Sequence, residues 1–341
     1  MKRITCRELG RQLGLSHSAV SLALRDHPSI PEQTRKRVKN LAAKLGYRPD
    51  PALAALNAYR QSGKPSSYRA TLAWIQMASC SDELEDPWLN TIFEGAQARA
   101  AEQGYHIERF KVSTGKDWIR LGQILKSRRI EGLMLSCISN APTRQSFEWK
   151  DYFAVAVARQ SKPASHLIAN DQFQSAALAV RKLHQAGHRR IGIVMPREFA
   201  ENTEYHFLGG FTSECTRQNI PPLYCVVDSP DQDSFQAHCT QWILEQELDA
   251  IIASGPGDLL PALKKAKLRV PKDISIAFLS RFRQHPNVAS IDQNNRHIGK
   301  AAANQLIDLI RRNERGLPHS PIRILIEGIW VDGSSAPDKH T

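Results

Sequence analysis

Several features that define other protein classes are missing from this 341-residue sequence. There is no run of about 20 apolar residues, so no membrane-spanning helix is predicted. The first ten residues, MKRITCRELG, carry charge and lack the apolar core of a secretory signal. The six cysteines are scattered and form no Cys-x-x-Cys pair. This predicts reduced thiols, no zinc site and a cytoplasmic location.

The motifs of common enzyme classes are absent as well. No Walker loop, no Gly-x-Gly-x-x-Gly after a strand and no Gly-x-Ser-x-Gly elbow occurs. His184 and His188 are four residues apart, as metal ligands can be, but no third ligand lies nearby. A surface or capping role is therefore expected for this pair. We predict neither an enzyme nor a resident cofactor or metal.

Positive charge, in contrast, is abundant and concentrated at one end. Residues 1–69 contain 14 Lys and Arg against 4 Asp and Glu, a net charge of +10 within a total of +12. A localised basic segment of this kind indicates a polyanionic partner, either nucleic acid or an anionic membrane surface.

The basic end has the signals of three short helices. Thr5 and Glu8 fit a capping box, and Gly14 suits the left-handed position that ends a helix. Ser16 then caps a second helix, and Pro31 fits the first position of a third. Two helices joined by a tight glycine turn and followed by a third predict a helix-turn-helix domain.

The second predicted helix has two different faces. Ala19, Val20, Ala23 and Leu24 form an ordinary core stripe, whereas the opposite face is polar and lacks an acidic residue. Short hydroxyls and a histidine there can contact base edges and phosphates, a leucine can touch a thymine methyl, and an arginine can neutralise a phosphate. The alternative is an ordinary solvated face. The residues of this face are His17, Ser18, Ser21, Leu22 and Arg25.

These motifs resemble the N-terminal segment of the LacI/GalR family of bacterial transcription regulators. The matching residues are Leu15-Ser16, Ala19-Val20-Ser21, Thr34-Arg35, Val38 and Leu45-Gly46-Tyr47-Arg48-Pro49. Two residues depart from the family pattern. Gly10 replaces a small alanine and is expected to loosen the first helix slightly, because glycine is a poor helix former. Leu22 stands where the family usually carries an arginine, which puts one base contact in doubt.

Residues 47–60 are predicted to form a hinge helix. Asp50 can cap it, Pro51 fits its first turn and the alanines favour helix. The resemblance implies that two such helices, one per subunit, pair on the operator and that Leu56 wedges into the minor groove. Alternatively, Leu53 and Leu56 form an apolar face that contacts the domain behind. The predicted DNA-binding residues come from the helix-turn-helix and the hinge helix. They are Thr5, Ser16, His17, Ser18, Ser21, Leu22, Arg25, Tyr47, Leu53 and Leu56.

From residue 70 onwards, apolar runs alternate with helical segments, which predicts doubly wound parallel sheets. About eleven strands are too many for one small sheet, so two Rossmann-like lobes with a cleft between them are expected. The segment AALAVRKLHQAGHRRIGIVMP resembles the family's Gly-His-Arg region, and LRVPKDISIAFLS resembles another of its signatures. The resemblance therefore implies an N-terminal all-α helix-turn-helix domain and an α/β core like that of periplasmic binding proteins.

The predicted organisation has five parts. They are the helix-turn-helix domain at 1–46, the hinge helix at 47–60, a Gly/Ser/Pro-rich linker at 61–69, the two-lobed effector-binding and dimerisation domain at 70–331, and a tail at 332–341. The tail has no apolar heptads, so a C-terminal coiled coil is not expected.

The effector pocket departs from the sugar-binding pattern of the family. Phe207 occupies the place of an arginine, Ser280 that of an aspartate, and residues 254–257 that of an Asn/Asp pair. Either other residues form a different pocket, or the effector is not a simple sugar, unless the matching is displaced by a residue or two. The candidate effector-binding residues are Trp88, Arg159, Asp171, Phe207, Ser280 and Arg281.

Together these patterns predict a regulator, expected to repress, that binds a palindromic operator in double-stranded DNA as a homodimer and responds to a small-molecule effector. A solute-binding transport protein would need a secretory signal, and an architectural DNA-binding protein would not need the large second domain. The sequence leaves open the operator, the identity of the effector and the choice between dimer and tetramer. A sugar derivative is one of the alternatives for the effector.

Overall fold

A computed structural model describes most of the chain. The described residues are 6–24, 29–45, 47, 70–77, 87–113, 115–136, 147–159, 164–228, 232–255 and 259–340. Most of the predicted hinge helix and all of the linker lie outside them. So do Thr5, Arg25, Leu53 and Leu56, and the side chains of His17, Ser18 and Ser21.

The N-terminal part consists of three helices, as predicted. They are α1 (Cys6–Leu13), α2 (His17–Leu24) and α3 (Glu32–Lys44). Gly14 closes α1 with a φ of +66°, a conformation that glycine adopts without steric cost. Pro31 precedes α3 as its cap residue and is not its first helical residue. The three helices share a small buried core of Leu9, Val20, Ala23, Val38 and Ala42.

Gly10 permits the close turn between α1 and α2. The backbone N–H of Leu15 donates to the carbonyl of Gly10 over 2.9 Å. A Cβ atom at Gly10 would lie only 2.5 Å from the carbonyl oxygen of Leu15. Glycine at position 10 has a low helix propensity, as expected. It also allows Leu15 to approach the backbone of α1 more closely than an alanine would permit.

The first lobe is built on a parallel six-stranded sheet. Its strands are β1 (Ala70–Met77), β2 (Tyr105–Val112), β3 (Gly132–Ser136), β4 (Phe153–Val157), β5 (His166–Asn170) and β11 (Arg323–Ile326), in the spatial order β11-β5-β4-β3-β1-β2. Helix α4 (Pro87–Glu102) packs on one face and α5 (Gly115–Ser127) on the other.

The second lobe has the same construction. Its strands are β6 (Ile191–Pro196), β7 (Leu223–Val227), β8 (Ala250–Ala253), β9 (Ser275–Phe278), β10 (Ala289–Asp292) and β12 (Ile329–Val331), in the order β12-β10-β9-β8-β6-β7. Its helices are α6 (Gln172–Gln185), α7 (Arg197–Asn202), α8 (His206–Arg217), α9 (Gln232–Glu245) and α10 (Leu260–Lys265). The helix α11 (Asn295–Arg312) returns to the first lobe. None of the described helices is both long and apolar enough to span a membrane.

The apolar run at residues 322–329 is divided between the two sheets. It contains β11, which pairs in parallel with β5, and it ends at Ile329, the first residue of β12, which pairs antiparallel with β10. The chain passes from one lobe to the other at Glu327 and Gly328. A strand of the first sheet and a strand of the second therefore share one continuous apolar segment.

The predicted tail is part of the second lobe. Ser335 is buried, and its hydroxyl donates to the carbonyl of Ile276 over 2.7 Å and accepts from the N–H of Ala289 over 2.9 Å. The backbone N–H of Lys339 donates to the carbonyl of Ala186. The second lobe therefore extends through residues 332–340, and its composition alone gave no sign of this packing.

Helices α4 and α11 cross with their backbones in close contact. Gly95 lies against the backbone of Arg296, and Gly299 lies against the carbonyl of Ile92 and the amide of Ala96. A Cβ atom at either glycine would collide with these backbone atoms, which cannot move as a flexible side chain can. The two glycines thus fix the distance between these helices.

In the second lobe, a buried carboxylate joins α6 to α8. Glu214 is 4% exposed and accepts hydrogen bonds from Arg217, Arg181 and Gln218. Burial would raise the pKa of this carboxyl group, but these hydrogen bonds outweigh it and lower the pKa to about 2. The carboxylate therefore stays charged in the folded protein at neutral pH.

We expect Gly299→Ala to lower the free energy of unfolding by about 1–3 kcal/mol, since the new methyl group forces α4 and α11 apart. Urea denaturation of the full chain measures this. Gly115→Ala is the matched control, because nothing lies within 4 Å of a Cβ atom there. Equal stability of the two variants would contradict the close helix contact.

We expect Glu214→Gln to destabilise the protein at pH 7 by about 1–3 kcal/mol, because the charged hydrogen bonds are lost. A folded pKa of about 2 lies below the ordinary value of 4.5, so the stabilisation is complete above the ordinary value. It declines as the pH falls toward the folded pKa. Urea midpoints of wild type and variant should therefore converge at acid pH, and a constant difference would refute this assignment.

Candidate DNA-binding face and ligand cavity

The cap of α2 is formed as the sequence predicts. The hydroxyl oxygen of Ser16 accepts a hydrogen bond from the backbone N–H of Ala19 over 3.1 Å. Val20 and Ala23 are fully buried, whereas Leu22, on the other face, is half-buried. Of the predicted core stripe, Val20 and Ala23 are thus confirmed in the core and Leu24 packs against it, whereas Ala19 is half-buried and lies outside that cluster.

Tyr47 lies directly after the helix-turn-helix and packs on its core. Its backbone N–H donates to the carbonyl of Ala42 over 2.9 Å, and its side chain is half-buried. This residue therefore ties the beginning of the predicted hinge to α3. Its proposed contact with DNA is restricted to the part of the side chain that remains exposed.

The two lobes are connected at three places that lie close together. The chain crosses between β5 and α6, between β10 and α11, and between β11 and β12. The N–H of Asp171 donates to the carbonyl of Ile326 over 2.7 Å. The side-chain amide of Asn294 donates to the carbonyl of Glu327 over 2.8 Å. The three crossings thus form one hydrogen-bonded hinge.

A cavity of about 380 Å³ opens between the lobes beside this hinge. The first lobe contributes residues at the start of α4 and after β4, and the second contributes residues that follow β8 and β9. Its described lining is Trp88, Thr91, Ile92, Ala158, Arg159, Asn170, Gln172, Phe199, Thr203, Phe207, Ser254, Ser280, Arg281, Phe282, Arg283, Gln284, Gln293, Asn295 and Ile298.

Five of the six candidate effector residues lie on this cavity: Trp88, Arg159, Phe207, Ser280 and Arg281. Most of the Phe207 side chain is buried, and its ring stacks on that of Phe199 with centroids 5.7 Å apart. The hydroxyl oxygen of Ser280 accepts a hydrogen bond from the amide of Gln293 over 2.7 Å.

The sixth candidate, Asp171, lies on a neighbouring cavity of about 360 Å³. Its carboxylate caps α6 by accepting a hydrogen bond from the N–H of Gln174 over 2.8 Å. The neighbouring cavity also contains Glu204, which forms a salt bridge with Arg323 over 2.8 Å. Arg159 lines both cavities, so they are two compartments of one cleft.

Sequence reasoning missed most of the lining, although one available signal points to part of it. In parallel α/β sheets, ligands bind beyond the carboxyl ends of the strands. Asn170 ends β5, while Ser254, Ser280 and Gln293 each come one or two residues after a strand of the second lobe. Ser280 was already a candidate, and applying this rule to each strand would have added Asn170, Ser254 and Gln293.

Ala158 marks a strained turn in the cavity wall. It has a φ of +68°, in the left-handed region that residues with a Cβ atom seldom adopt. Its backbone N–H donates to the carbonyl of Ile168 over 2.8 Å, which holds this conformation. Strained backbone of this kind clusters at binding sites, and here it immediately precedes Arg159.

The histidine pair has no third potential metal ligand in a common cluster among the described residues. His188 is buried rather than on the surface, with its Nδ1 atom 3.6 Å from a carboxylate oxygen of Asp249. Burial would raise the pKa of Asp249, but His188, the N–H of Arg189 and Lys339 together hold it well below its ordinary value. No cluster of three potential metal ligands occurs in the described part of the chain.

We expect Ser16→Ala to destabilise α2 by about 1 kcal/mol, because the N–H of Ala19 loses its acceptor. Hydrogen exchange of the amides in α2 should become about fivefold faster, as this energy implies. Ser16→Thr keeps a hydroxyl acceptor and is the matched control. Unchanged exchange in the alanine variant would show that the cap does not stabilise this helix.

The core matches the family model of a periplasmic binding protein-like domain over residues 180–335. Among curated proteins, the HTH-type transcriptional repressor PurR of Haemophilus influenzae strain PittEE is 23% identical over 335 residues, which cover 92% of this chain and 93% of that protein. PurR of Klebsiella pneumoniae subsp. pneumoniae is 22% identical and covers 90% of each chain.

One solved structure of similar fold is a complex of the transcriptional regulator CelR with cellobiose, which has a TM-score of 0.62 and 18% sequence identity. The alignment covers 98% of this chain and 100% of the CelR chain. A lac repressor dimer bound to operator and the anti-inducer ONPF has a TM-score of 0.58, 17% identity and the same coverage of both chains. Over nearly its whole length the chain is therefore similar to curated HTH-type transcriptional repressors, and its fold is shared with solved structures of LacI-type regulators.

Proposed function

We propose that this protein is a cytoplasmic repressor that binds a palindromic operator as a homodimer and releases or tightens that binding when a small molecule enters the cleft. The observation that carries the proposal is the cavity beside the hinge, in a chain that also has a helix-turn-helix domain. A ligand that contacts both lobes changes their equilibrium to the extent that it binds one arrangement better than another.

The lining of the cavity supports ligand binding rather than catalysis. Among the described lining residues there is no Asp, Glu, His, Cys, Lys or Tyr, the side chains that usually transfer protons or act as activated nucleophiles. Ser280 has a hydrogen-bond donor beside it in Gln293, but a serine nucleophile needs a base. The described lining can therefore recognise a molecule, and it contains none of these groups to transform it.

We assign the DNA contacts to the outer face of α2 and to the predicted hinge helix at residues 47–60. In this proposal His17, Ser18, Ser21 and Leu22 read base edges, while Leu56 enters the minor groove. In this proposal the helix-turn-helix domain ends at residue 46, the hinge helix at residue 60 and the linker at residue 69. One α2 covers too few base pairs for specificity, so a twofold dimer doubles the sequence that is read.

Selection of bound sequences from a random duplex pool, with the full chain, tests this proposal. We expect an inverted repeat, and we expect affinity for the selected duplex to exceed that for a scrambled duplex by a factor of about 10³ or more. A titration with salt separates the two modes, since phosphate contacts alone give equal losses on both duplexes. Selected sites without dyad symmetry, or equal affinities, would refute the proposal.

A further inference from the structure

Three arginines of the cavity have no acidic partner. Arg159 is half-buried, and Arg281 and Arg283 are exposed; none of them forms a salt bridge with a described residue. Most described arginines elsewhere in the lobes do pair with a carboxylate, as Arg181 and Arg217 do with Glu214. The cleft thus collects positive charge that the described part of the protein does not neutralise.

The main cavity also has no carboxylate in its described lining. The acidic residues of the cleft, Asp171 and Glu204, lie in the neighbouring compartment, where one caps α6 and the other pairs with Arg323. A sugar with many hydroxyl groups needs strong acceptors, and here donors prevail. Uncompensated guanidinium groups at a partly enclosed surface attract anions and bind carboxylate or phosphate in a bidentate manner.

Two amide side chains of the cavity have polar atoms that lack a partner. Asn170 is 7% exposed, and its Nδ2 atom donates to no described atom; the Oδ1 atom of Asn295 accepts from none. Buried polar groups are normally hydrogen-bonded, because leaving one unsatisfied costs free energy. Both residues line the cavity, so these unsatisfied atoms lie within its wall.

Four aromatic side chains also line the cavity. Phe199 and Phe207 stack with an angle of 16° between their rings, Phe282 is on the same lobe, and Trp88 belongs to the first lobe. Aromatic side chains bind flat or apolar bodies through their faces and edges. The cavity therefore combines an apolar wall with cationic groups, a combination that fits a molecule with two different ends.

We propose that the effector is an organic anion, with a carboxylate or phosphate group bound by Arg159, Arg281 and Arg283 and a planar or apolar body held by the aromatic wall. The inference rests on the proposed function, since it names the ligand class of the same cleft. A neutral sugar is the competing class, and the charge of the lining disfavours it.

Thermal unfolding of the full chain with paired compounds tests this inference. The anions are benzoate, 4-hydroxybenzoate, glucose 6-phosphate and ribose 5-phosphate, and their neutral partners are the two amides, glucose and ribose. We expect at least one anion to raise the melting temperature in a saturable manner, as a ligand specific for the folded state must, while its neutral partner does not. Comparison of the two carboxylates with the two sugar phosphates shows which anionic group the cavity binds.

Arg159→Gln and Arg281→Gln should each weaken the apparent affinity for the stabilising anion by about tenfold or more, because a charge-assisted hydrogen bond is lost. Arg120→Gln removes the same charge from an exposed position on α5 and is the control. Stabilisation by neutral compounds that equals that by anions, the absence of an effect from every anion, or equal affinities of all three variants would overturn the inference.

Operator binding measured with the same compounds separates this inference from the proposed function. If a neutral compound changes operator affinity and the arginine variants respond as wild type does, the anion class is wrong and the regulatory function stands. If the protein selects no operator, the proposed function fails, whatever the anions do to the melting temperature. An anion that changes operator affinity in wild type, and much less in Arg281→Gln, supports both.

Discussion

The hinge of three crossing segments is the constraint on which the rest of the structure depends. The segments are linked by hydrogen bonds from Asp171 to Ile326, from Asn294 to Glu327 and from Gly328 to Gln174. One of these bonds joins two backbone groups and the other two involve side-chain amides. Because the chain crosses between the lobes at all three places, each lobe is formed from segments distant in the sequence, and neither is a continuous stretch of chain. The cavity lies beside this hinge, so its shape follows from how the lobes are held there.

Close helix contacts carry this geometry into the first lobe. Helix α11 begins immediately after a crossing segment, with Asn295 on the cavity, and it crosses α4 at Gly95 and Gly299. The beginning of α4 contributes Trp88 to the same cavity. Since backbones in contact cannot slide past each other without a collision, α4 and α11 form one closely packed pair beside the cavity.

Local patterns predicted most elements of the fold, and the misses share a physical reason. The three N-terminal helices and the alternation of strands and helices follow from caps, turns and buried apolar runs that involve only neighbouring residues. Strands β5 and β10 have weak sequence signals, because HLIAN and ASID are short and end in polar residues. The run at 322–329 looks like one strand, since its division between two sheets depends on partners far away in the sequence.

The sequence by itself determined the basic reading domain, the two-lobed core and five residues of the cavity, Trp88, Arg159, Phe207, Ser280 and Arg281. Helix caps, periodicity and charge are local properties, and family motifs preserve them. Only the tertiary structure decided that Asp171 caps a helix beside the cavity, that residues 332–340 pack on the second lobe, and that Asn170 and Asn295 face a common space. These outcomes depend on which distant backbone atoms meet, and no stretch of sequence contains that information.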